Sequence, residues 1–198
     1  MSRLRVVKLS NKFLRPISLS VPSGKCLCLS GPSGVGKTLL LRAVADLDPS
    51  HGKVFLGNLE HMSVDGPAWR RNVGLLPAES HWWLERVGAH FAEAQIVGLE
   101  QLGFGVKVLD RRIAGLSTGE RQRLALLRLL NQRPKALLLD EPTASLDPKN
   151  VRRVEKLIAT YRSKHKIPVL WVSHDLRQIK RVGDLHLRMT SSDPDSMK

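Results

Sequence analysis

The chain has 198 residues, of which 42% are hydrophobic, enough to form the core of one ordinary domain. It carries 32 lysines and arginines against 18 aspartates and glutamates, a formal net charge of +14. A surface of that sign favours polyanions such as nucleic acid, anionic lipid headgroups or nucleotide phosphates. The sequence has no run of about 18 apolar residues, so we expect no transmembrane helix, and its charged opening, MSRLRVVKLS, does not resemble a signal peptide.

Predicted strands alternate with predicted helices along the chain. Strands are predicted at 3–9, 16–21, 25–30, 53–56, 73–76, 136–139, 169–173 and 184–189, and helices after Gly36, Ser117, Pro148 and His174, with a further helix near 82–98. The apolar runs ALLLD and PVLWVS lack polar alternation, as is typical of parallel strands covered on both faces. These patterns predict an α/β fold with a mostly parallel sheet core and an antiparallel N-terminal β part.

Three further segments complete the organisation. Cys26 and Cys28 alternate along one predicted strand, so we expect two buried thiols on one face of it, in a reducing cytosol. Residues 78–130 have a helical pattern without strands, which predicts a short helical subdomain inserted in the core. The polar tail 190–198 is predicted to be disordered.

The most specific motif is GPSGVGKT, which matches the phosphate-loop pattern and lies between a predicted strand and a predicted helix. Its backbone N–H groups can surround a β-phosphate, Lys37 can bridge the β- and γ-phosphates, and the Thr38 hydroxyl can hold Mg²⁺. The motif predicts a nucleoside triphosphate site formed by Gly31, Pro32, Ser33, Gly34, Val35, Gly36, Lys37 and Thr38.

A second motif, KALLLDE, is an apolar strand that ends in two carboxylates. The end of such a strand lies at the carboxyl edge of a parallel sheet, beside the phosphate loop. Asp140 can orient Mg²⁺ through a water molecule, and Glu141 can polarise the water that attacks the γ-phosphate. We therefore predict Glu141 as the general base.

The segment LSTGERQR turns from a short loop into a basic helix. A helix N-terminus presents free N–H groups and a partial positive charge, so it is a natural seat for an anion. Arg121 and Arg123 begin this helix. They either support that anion or form a solvated face.

Taken together, GPSGVGKT, LSTGERQR, LLLDEPTASLD and WVSHD occur in the order and approximate spacing of the nucleotide-binding domain of ABC ATPases, which the chain resembles. The resemblance covers about residues 4–189. It implies a P-loop NTPase fold of the ABC type in a single domain, 1–189, with the helical subdomain at about 78–130. It also implies ATP and Mg²⁺ as cofactors, and a head-to-tail pair of two copies with two ATP molecules between them.

The resemblance also assigns roles to individual residues. Ser117 and Gly119 would contact the γ-phosphate bound to the partner copy, and Asp147 in SLD would lie at the interface between the copies. His174 would be the switch histidine that holds the γ-phosphate and the catalytic geometry. The anion at LSTGERQR would then be the γ-phosphate of ATP bound by another molecule.

Three positions depart from the family pattern. Thr118 stands where a second glycine is usual, and Ala78 stands where a glutamine usually contacts Mg²⁺, although Glu79 could substitute by a one-residue shift. Phe13 is the candidate for stacking on adenine, and it could equally belong to the core.

A transporter subunit of this family would act on a separate transmembrane permease, as a peripheral protein on the cytoplasmic face of the inner membrane, close to anionic lipid. In its compact size and in the segment IPVLWVSHDLRQIKRVGDLHLRM, the chain is most similar to the small bacterial iron-export ATP-binding subunits. Trp82, Trp83 and Phe91 would form either the core of the subdomain or a surface that docks the permease. One alternative is a soluble ABC-type ATPase that acts on nucleic acid or the ribosome, but the chain has a single cassette and no heptad run, which counts against it. Another alternative is a small-molecule kinase, which would need neither LSTGE nor SLD.

Overall fold

The computed structural model describes residues 3–92 and 96–190, so most of the predicted tail, 191–198, lies outside the described residues. In chain order the strands are β1 (Leu4–Asn11), β2 (Leu14–Val21), β3 (Cys26–Ser30), β4 (His51–Leu56), β5 (Leu59–Glu60), β6 (Val73–Leu76), β7 (Ala136–Asp140), β8 (Val169–Val172) and β9 (Leu185–Arg188). The α-helices are α1 (Lys37–Val44), α2 (Gly66–Asn72), α3 (Thr118–Asn131), α4 (Pro148–His165) and α5 (Leu176–Val182).

The strands form two sheets, as the sequence predicts. One sheet is antiparallel, with the order β2-β1-β4-β5, and the other has the order β6-β7-β8-β3-β9 with every pairing parallel. The α/β prediction is therefore confirmed.

The parallel sheet is the middle layer, and its side chains alternate between two apolar cores. On one face, Trp171 and Leu139 pack with side chains of α3, α4 and α5. On the other face, Leu138 and Leu170 pack with α1 and with the inner side of the antiparallel sheet. Because both faces are covered, β3, β7 and β8 are buried along their whole length. Cys26 and Cys28 are buried free thiols in the first of these cores, as predicted.

The predicted helix near 82–98 is wrong. Among its described residues, 82–92 and 96–98, the regular structure consists of one 3₁₀ turn, Gly88–His90, and an isolated β-bridge from Arg86 to Arg112. The His90 ring takes the place of helical carbonyls, because its Nε2 accepts the backbone N–H groups of Trp83 and Leu84 at 3.1 and 3.0 Å. In the described part of 78–117, short 3₁₀ turns replace the helices that the pattern predicted, and α3 is the first α-helix after them.

Two elements were missed by the sequence analysis, the short strand β5 and the helix α2. Helix α2 begins at a standard signal, because the Asp65 carboxylate accepts the N–H of Ala68 at 2.6 Å and Pro67 occupies the first turn. Its indole side chain, Trp69, is fully buried against α1 and donates to the carbonyl of Val44 at 2.9 Å. No helix among the residues that the structure describes has the length and apolar character needed to cross a membrane.

The parallel register decides where the functional residues lie. Asp140 pairs with Val172, and Leu29 pairs with Val172 from the other side. The segments that follow β3, β7 and β8 therefore leave the sheet at one common edge. These three segments are the phosphate loop, the DEPT segment and the SHD segment.

Candidate nucleotide-binding and catalytic site

The phosphate loop joins β3 to α1 and depends on glycine at three positions. Gly31, Gly34 and Gly36 have φ angles of 145°, 78° and 98°, which side-chain-bearing residues rarely adopt. At Gly31 a Cβ atom would also lie 2.4 Å from the backbone oxygen of Met189. Lys37 is only 6% exposed, and its Nζ donates to the carbonyls of Gly31 and Pro32 at 3.0 and 2.8 Å. The loop is thus a compact turn with its one lysine held on its inner side.

Thr38 and Asp140 meet at the edge of the sheet. The Thr38 hydroxyl donates to Oδ2 of Asp140 at 2.8 Å. Burial raises the pKa of Asp140, and the hydrogen bond from Thr38 partly opposes that effect. A hydroxyl and a carboxylate are the hard oxygen donors that Mg²⁺ prefers, so the residues present fit this ion.

Glu141 and His174 face each other across the same edge. His174 Nε2 lies 2.9 Å from Oε1 of Glu141. The Glu141 backbone has a φ of 45°, and its N–H donates to the carbonyl of Val172 on β8. Both side chains stay partly exposed, 44% for His174 and 33% for Glu141. They line a cavity of about 320 Å³ together with Thr143, Ser173 and Gln178, so this is an open site that a water molecule can enter.

The LSTGE segment forms the N-terminus of α3. Ser117 caps the helix by accepting the N–H of Glu120 at 3.2 Å, and the Glu120 carboxylate accepts the Ser117 N–H at 2.8 Å, which is a complete capping box. Thr118 is exposed at the first helical position, so the departure from glycine is accommodated by ordinary helical backbone.

Gly119 lies against the SLD segment of its own chain. A Cβ atom on Gly119 would lie 3.0 Å from Leu146 Cδ2 and 3.1 Å from the Ser145 carbonyl oxygen. Asp147 caps α4 by accepting the N–H of Asn150 at 3.0 Å, and the hydrogen bonds from Asn150 lower the pKa of Asp147. The LSTGE segment is therefore packed against SLD, the last part of the motif that begins with the carboxylates of the sheet edge.

The solvated-face interpretation is wrong for Arg123, which is 9% exposed. Its guanidinium donates to the carbonyls of Gly119 and Leu102 and lies over the ring of Phe104 at 4.5 Å. Burial lowers the pKa of Arg123. This arginine thus fixes the first turn of α3 to the turns that precede the helix. Its long side chain packs against the protein as well as carrying charge.

The departures at Ala78 and Glu79 lie beside the Thr38–Asp140 pair. All four residues line one cavity of about 280 Å³, and Ala78 and Glu79 are both exposed. The preceding residue, Pro77, is held by Gln122 of α3, whose buried amide donates to the Pro77 carbonyl at 2.9 Å.

Phe13 is 73% exposed, so the alternative of a core residue is wrong. It lies between β1 and β2 and lines a cavity of about 540 Å³ with Leu39 of α1 and His51 of β4. Its neighbour, Leu14, touches the phosphate loop, since the Leu14 side chain lies 3.3 Å from where a Cβ of Gly36 would be.

The three aromatic residues of 82–91 divide between core and surface. Trp82 and Phe91 pack against the core, whereas Trp83 is 69% exposed. Arg128 lies against both indoles, 4.5 Å from the Trp82 ring and 4.7 Å from the Trp83 ring. His90 meets the same two rings edge-on, and burial lowers its pKa.

Sequence reasoning missed three buried polar residues in the wall of the cavity, Thr143, Ser173 and Gln178. Gln178 is hydrogen-bonded both to Thr143 and to Ser173. The signal available in the sequence was the position of Thr143 and Ser173 beside Glu141 and His174. The glutamine, in contrast, reads as an ordinary helical residue.

Comparisons with known proteins show the family to which the chain belongs. The family model for "ABC transporter" matches residues 14–144. The rice protein STAR1 is 34% identical over 187 residues, which cover 88% of this chain and 54% of that protein. The phosphonates import ATP-binding protein PhnC 1 of Rhodopseudomonas palustris is 35% identical, over 82% of this chain and 70% of its own length, and the zinc import ATP-binding protein ZnuC of Pseudomonas syringae is 34% identical, over 93% and 70%.

Solved structures share the fold. A dimeric ATP-binding cassette in a post-hydrolysis state, bound to ADP and Pi, superposes with a TM-score of 0.80 at 20% identity, over 94% of each chain. A bacterial Atm1-family ABC exporter with ATP bound gives a TM-score of 0.82 at 20% identity, over 97% of this chain and 38% of the exporter. The chain therefore belongs to the ABC transporter family and is an ABC-type ATPase with the fold of that family's ATP-binding domain.

Proposed function

We propose that this chain is the ATP-hydrolysing subunit of a membrane transporter, working as a head-to-tail pair of two copies on a separate transmembrane permease. One observation carries the proposal. The Glu141–His174 pair, 2.9 Å apart, lines an open cavity at the edge of the sheet. The phosphate loop and the hydrogen-bonded pair Thr38–Asp140 lie at the same edge. A base, a phosphate seat and a set of hard oxygen donors at one edge are what hydrolysis of a nucleoside triphosphate requires.

In this proposal, three groups of residues in one copy have distinct roles in the reaction. The backbone N–H groups of the phosphate loop and Lys37 bind the phosphates, with Lys37 leaving its two carbonyl partners to do so. Thr38 and, through water, Asp140 would hold Mg²⁺, which would neutralise the charge of the phosphates. Glu141 accepts a proton from the attacking water, while His174 holds the Glu141 carboxylate and the γ-phosphate in line.

The second copy would complete the site. Ser117 and Gly119 stand at a capped helix N-terminus, which favours an anion. They would contact the γ-phosphate bound by the other copy, with Asp147 at the interface. Since Gly119 packs on Ser145 and Leu146, a shift at the γ-phosphate would move the SLD segment with it. Closing and opening of the pair would then form the two-state element that a permease reads.

The relatives support the class of function without identifying a cargo. Their names give import of phosphonates, zinc and, for one from Peptoclostridium acidaminophilum, uptake of tungstate. The similarity to iron-export subunits seen in the sequence gains no support from these names, so we propose the transport role without its direction or cargo. The net charge of +14 favours an anionic membrane surface, in keeping with a peripheral position on the cytoplasmic face of the inner membrane.

The experiment is purification of the tagged protein from its native cells in mild detergent, with a high-salt wash and mass spectrometry of the retained proteins. The wash is needed because a strongly basic surface holds lipid and nucleic acid nonspecifically, and salt screens that attraction. We expect a multi-span membrane protein in stoichiometric amount. Trp83→Glu should reduce its recovery, whereas Met62→Glu, which alters a comparably exposed apolar side chain elsewhere, should not.

Salt-resistant ribosomal or DNA-repair proteins without a membrane partner would overturn the transporter role. They would favour the soluble ATPase alternative, for which the positive charge would be a phosphate-binding footprint. The ATP chemistry proposed above would be unaffected by that result.

A further inference from the structure

One glutamine in the wall of the catalytic cavity connects three segments of the chain. Gln178 is the third residue of α5 and is 3% exposed. Its Oε1 accepts the Ser173 hydroxyl at 2.9 Å, and its Nε2 donates to the Thr143 hydroxyl at 2.9 Å and to Oε1 of Glu155 at 2.9 Å. The partners lie after β8, after β7 and on α4, so a single side chain ties together the ends of two strands and a helix.

Charge fixes the orientation of this amide. Glu155 is held by two guanidinium contacts from Arg181, at 2.7 and 3.2 Å. Burial alone would raise the pKa of Glu155, but the hydrogen bonds from Arg181 and Gln178 outweigh it and lower the pKa. An ionised carboxylate only accepts hydrogen bonds, so the NH₂ group of Gln178 must face Glu155. Its oxygen is then turned to the Ser173 hydroxyl.

The two tied segments carry the reacting groups. Ser173 directly precedes His174, and Thr143 follows Glu141 by two residues. Ser173 is further fixed by its N–H, which donates to Leu29 on β3, and by its hydroxyl, which accepts the N–H of Asp175 at 3.1 Å. Gln178 and both segments line the cavity that holds the Glu141–His174 pair.

We infer that Gln178 is a positioning residue for ATP hydrolysis, which sets the separation of Glu141 and His174 by clamping Thr143 to Ser173 and anchoring both to Glu155. It acts through these neighbours and not on the nucleotide. Small displacements of reacting groups are costly, since about 1 Å can reduce a rate 100-fold. The inference rests on the roles proposed above for Glu141 and His174.

The first test is Gln178→Leu, which keeps the approximate volume and removes every polar contact of the amide. We expect kcat for ATP to fall by about 10- to 100-fold, with little change in KM or in the affinity for a non-hydrolysable ATP analogue, because the phosphate loop is untouched. The matched control is Ile179→Ala, which removes a buried apolar contact from the next residue of α5. Even if Ile179→Ala lowers the melting temperature as much as Gln178→Leu does, it should retain the kcat of the unaltered protein.

The second test is Gln178→Glu, which has the same shape but places a carboxylate against Glu155. The charged groups around this position are Glu155 and Arg152 on α4, Arg181 on α5, Asp175 before it, and the Glu141–His174 pair across the cavity. Two ionised carboxylates repel, whereas the introduced carboxyl group, once protonated, can donate to Glu155 as the amide does. The kcat of the variant relative to the unaltered protein should therefore rise as the pH falls, a dependence that Gln178→Leu should lack.

Four outcomes would overturn the inference. Three of them are unaltered kcat in Gln178→Leu, an equal loss of kcat in Ile179→Ala, and a change confined to KM. The fourth is a ratio of kcat values for Gln178→Glu and the unaltered protein that does not change with pH. Failure of the proposed function is distinguished by Glu141→Gln measured in parallel, since normal turnover in that variant would reject Glu141 as the base whatever Gln178 does.

Discussion

The catalytic edge and the segment 77–117 are built on different principles. At the edge, three parallel strands end at one level, and short local motifs follow each of them. In the described part of the segment, turns are held by side chains that reach across it, such as that of His90, whose Nε2 accepts the N–H groups of Trp83 and Leu84. A motif at a strand end can be located from its own sequence, whereas a loop held by distant contacts cannot.

Apart from the base Glu141, His174 is the residue of the catalytic edge whose substitution should reduce turnover most. His174→Ala removes the N–H that faces Glu141 and should lower turnover by about 100-fold or more, with ATP binding retained. His165→Ala, at the end of α4, is the control and should leave turnover unchanged. Normal turnover in His174→Ala would mean that the 2.9 Å contact has no catalytic role.

Gly119 tests the contact between the two remaining motifs. Gly119→Ala adds a methyl group 3.0 Å from Leu146 and 3.1 Å from the Ser145 carbonyl, so the Leu146 side chain and the Ser145 carbonyl must move by a few tenths of an ångström. Turnover should fall by about 10-fold, although alanine favours the helix by up to about 1 kcal/mol. Gly115→Ala is the matched control, because no atom lies within 4 Å of its added Cβ. Equal activity of the two variants would show that the contact is indifferent to function.

Asp140 tests whether the edge is built at the expense of stability. Its pKa is raised by burial, so its charge costs stability above the folded-state pKa, and the cost disappears as the pH falls toward the unfolded value of 3.8. Asp140→Asn should therefore raise the melting temperature at neutral pH, by roughly 2–4 °C per kcal/mol relieved, and the gain should vanish on acidification.

Asp48 should change the stability with pH in the opposite direction. The hydrogen bond from Arg42 lowers the pKa of Asp48, so its stabilisation is present above 3.8 and is lost as the pH falls through its folded pKa. Asp48→Asn should lower the melting temperature slightly at neutral pH. Thermal unfolding of both variants between neutral and acidic pH checks the pair, and a melting temperature of Asp140→Asn below that of the unaltered protein at neutral pH would contradict the account.

The smallest effect is expected in the segment 77–117. Trp83→Ala removes an exposed indole from Arg128, a contact worth about 0.5–1 kcal/mol, and turnover of the isolated protein should not change. Trp82→Ala should cost more stability, because this ring also packs against the core. A loss of turnover in Trp83→Ala would show that the segment controls the catalytic edge directly.

The difference between the two regions also explains which elements could be predicted from the sequence. The strands other than β5, the helices α1, α3, α4 and α5, and the meeting of Asp140 with Thr38 were predictable, because apolar period and strand-end position are local properties. The helix predicted near 82–98 failed because His90 and Arg128 stabilise a loop by contacts up to 47 residues away in the chain, as between Arg128 and the His81 carbonyl. Arg123 was left open for a similar reason, since its carbonyl partner at Leu102 lies 21 residues earlier.

The central claim, hydrolysis of ATP by a pair of copies with Glu141 as the base, is tested most directly by Glu141→Gln in saturating ATP and Mg²⁺. Turnover and molecular mass by light scattering are measured on the same sample, with Glu60→Gln on β5 as the control. We expect turnover to fall by about 100-fold or more and the protein to accumulate as an ATP-dependent dimer. Near-normal turnover, or a protein that stays monomeric in saturating ATP, would contradict it.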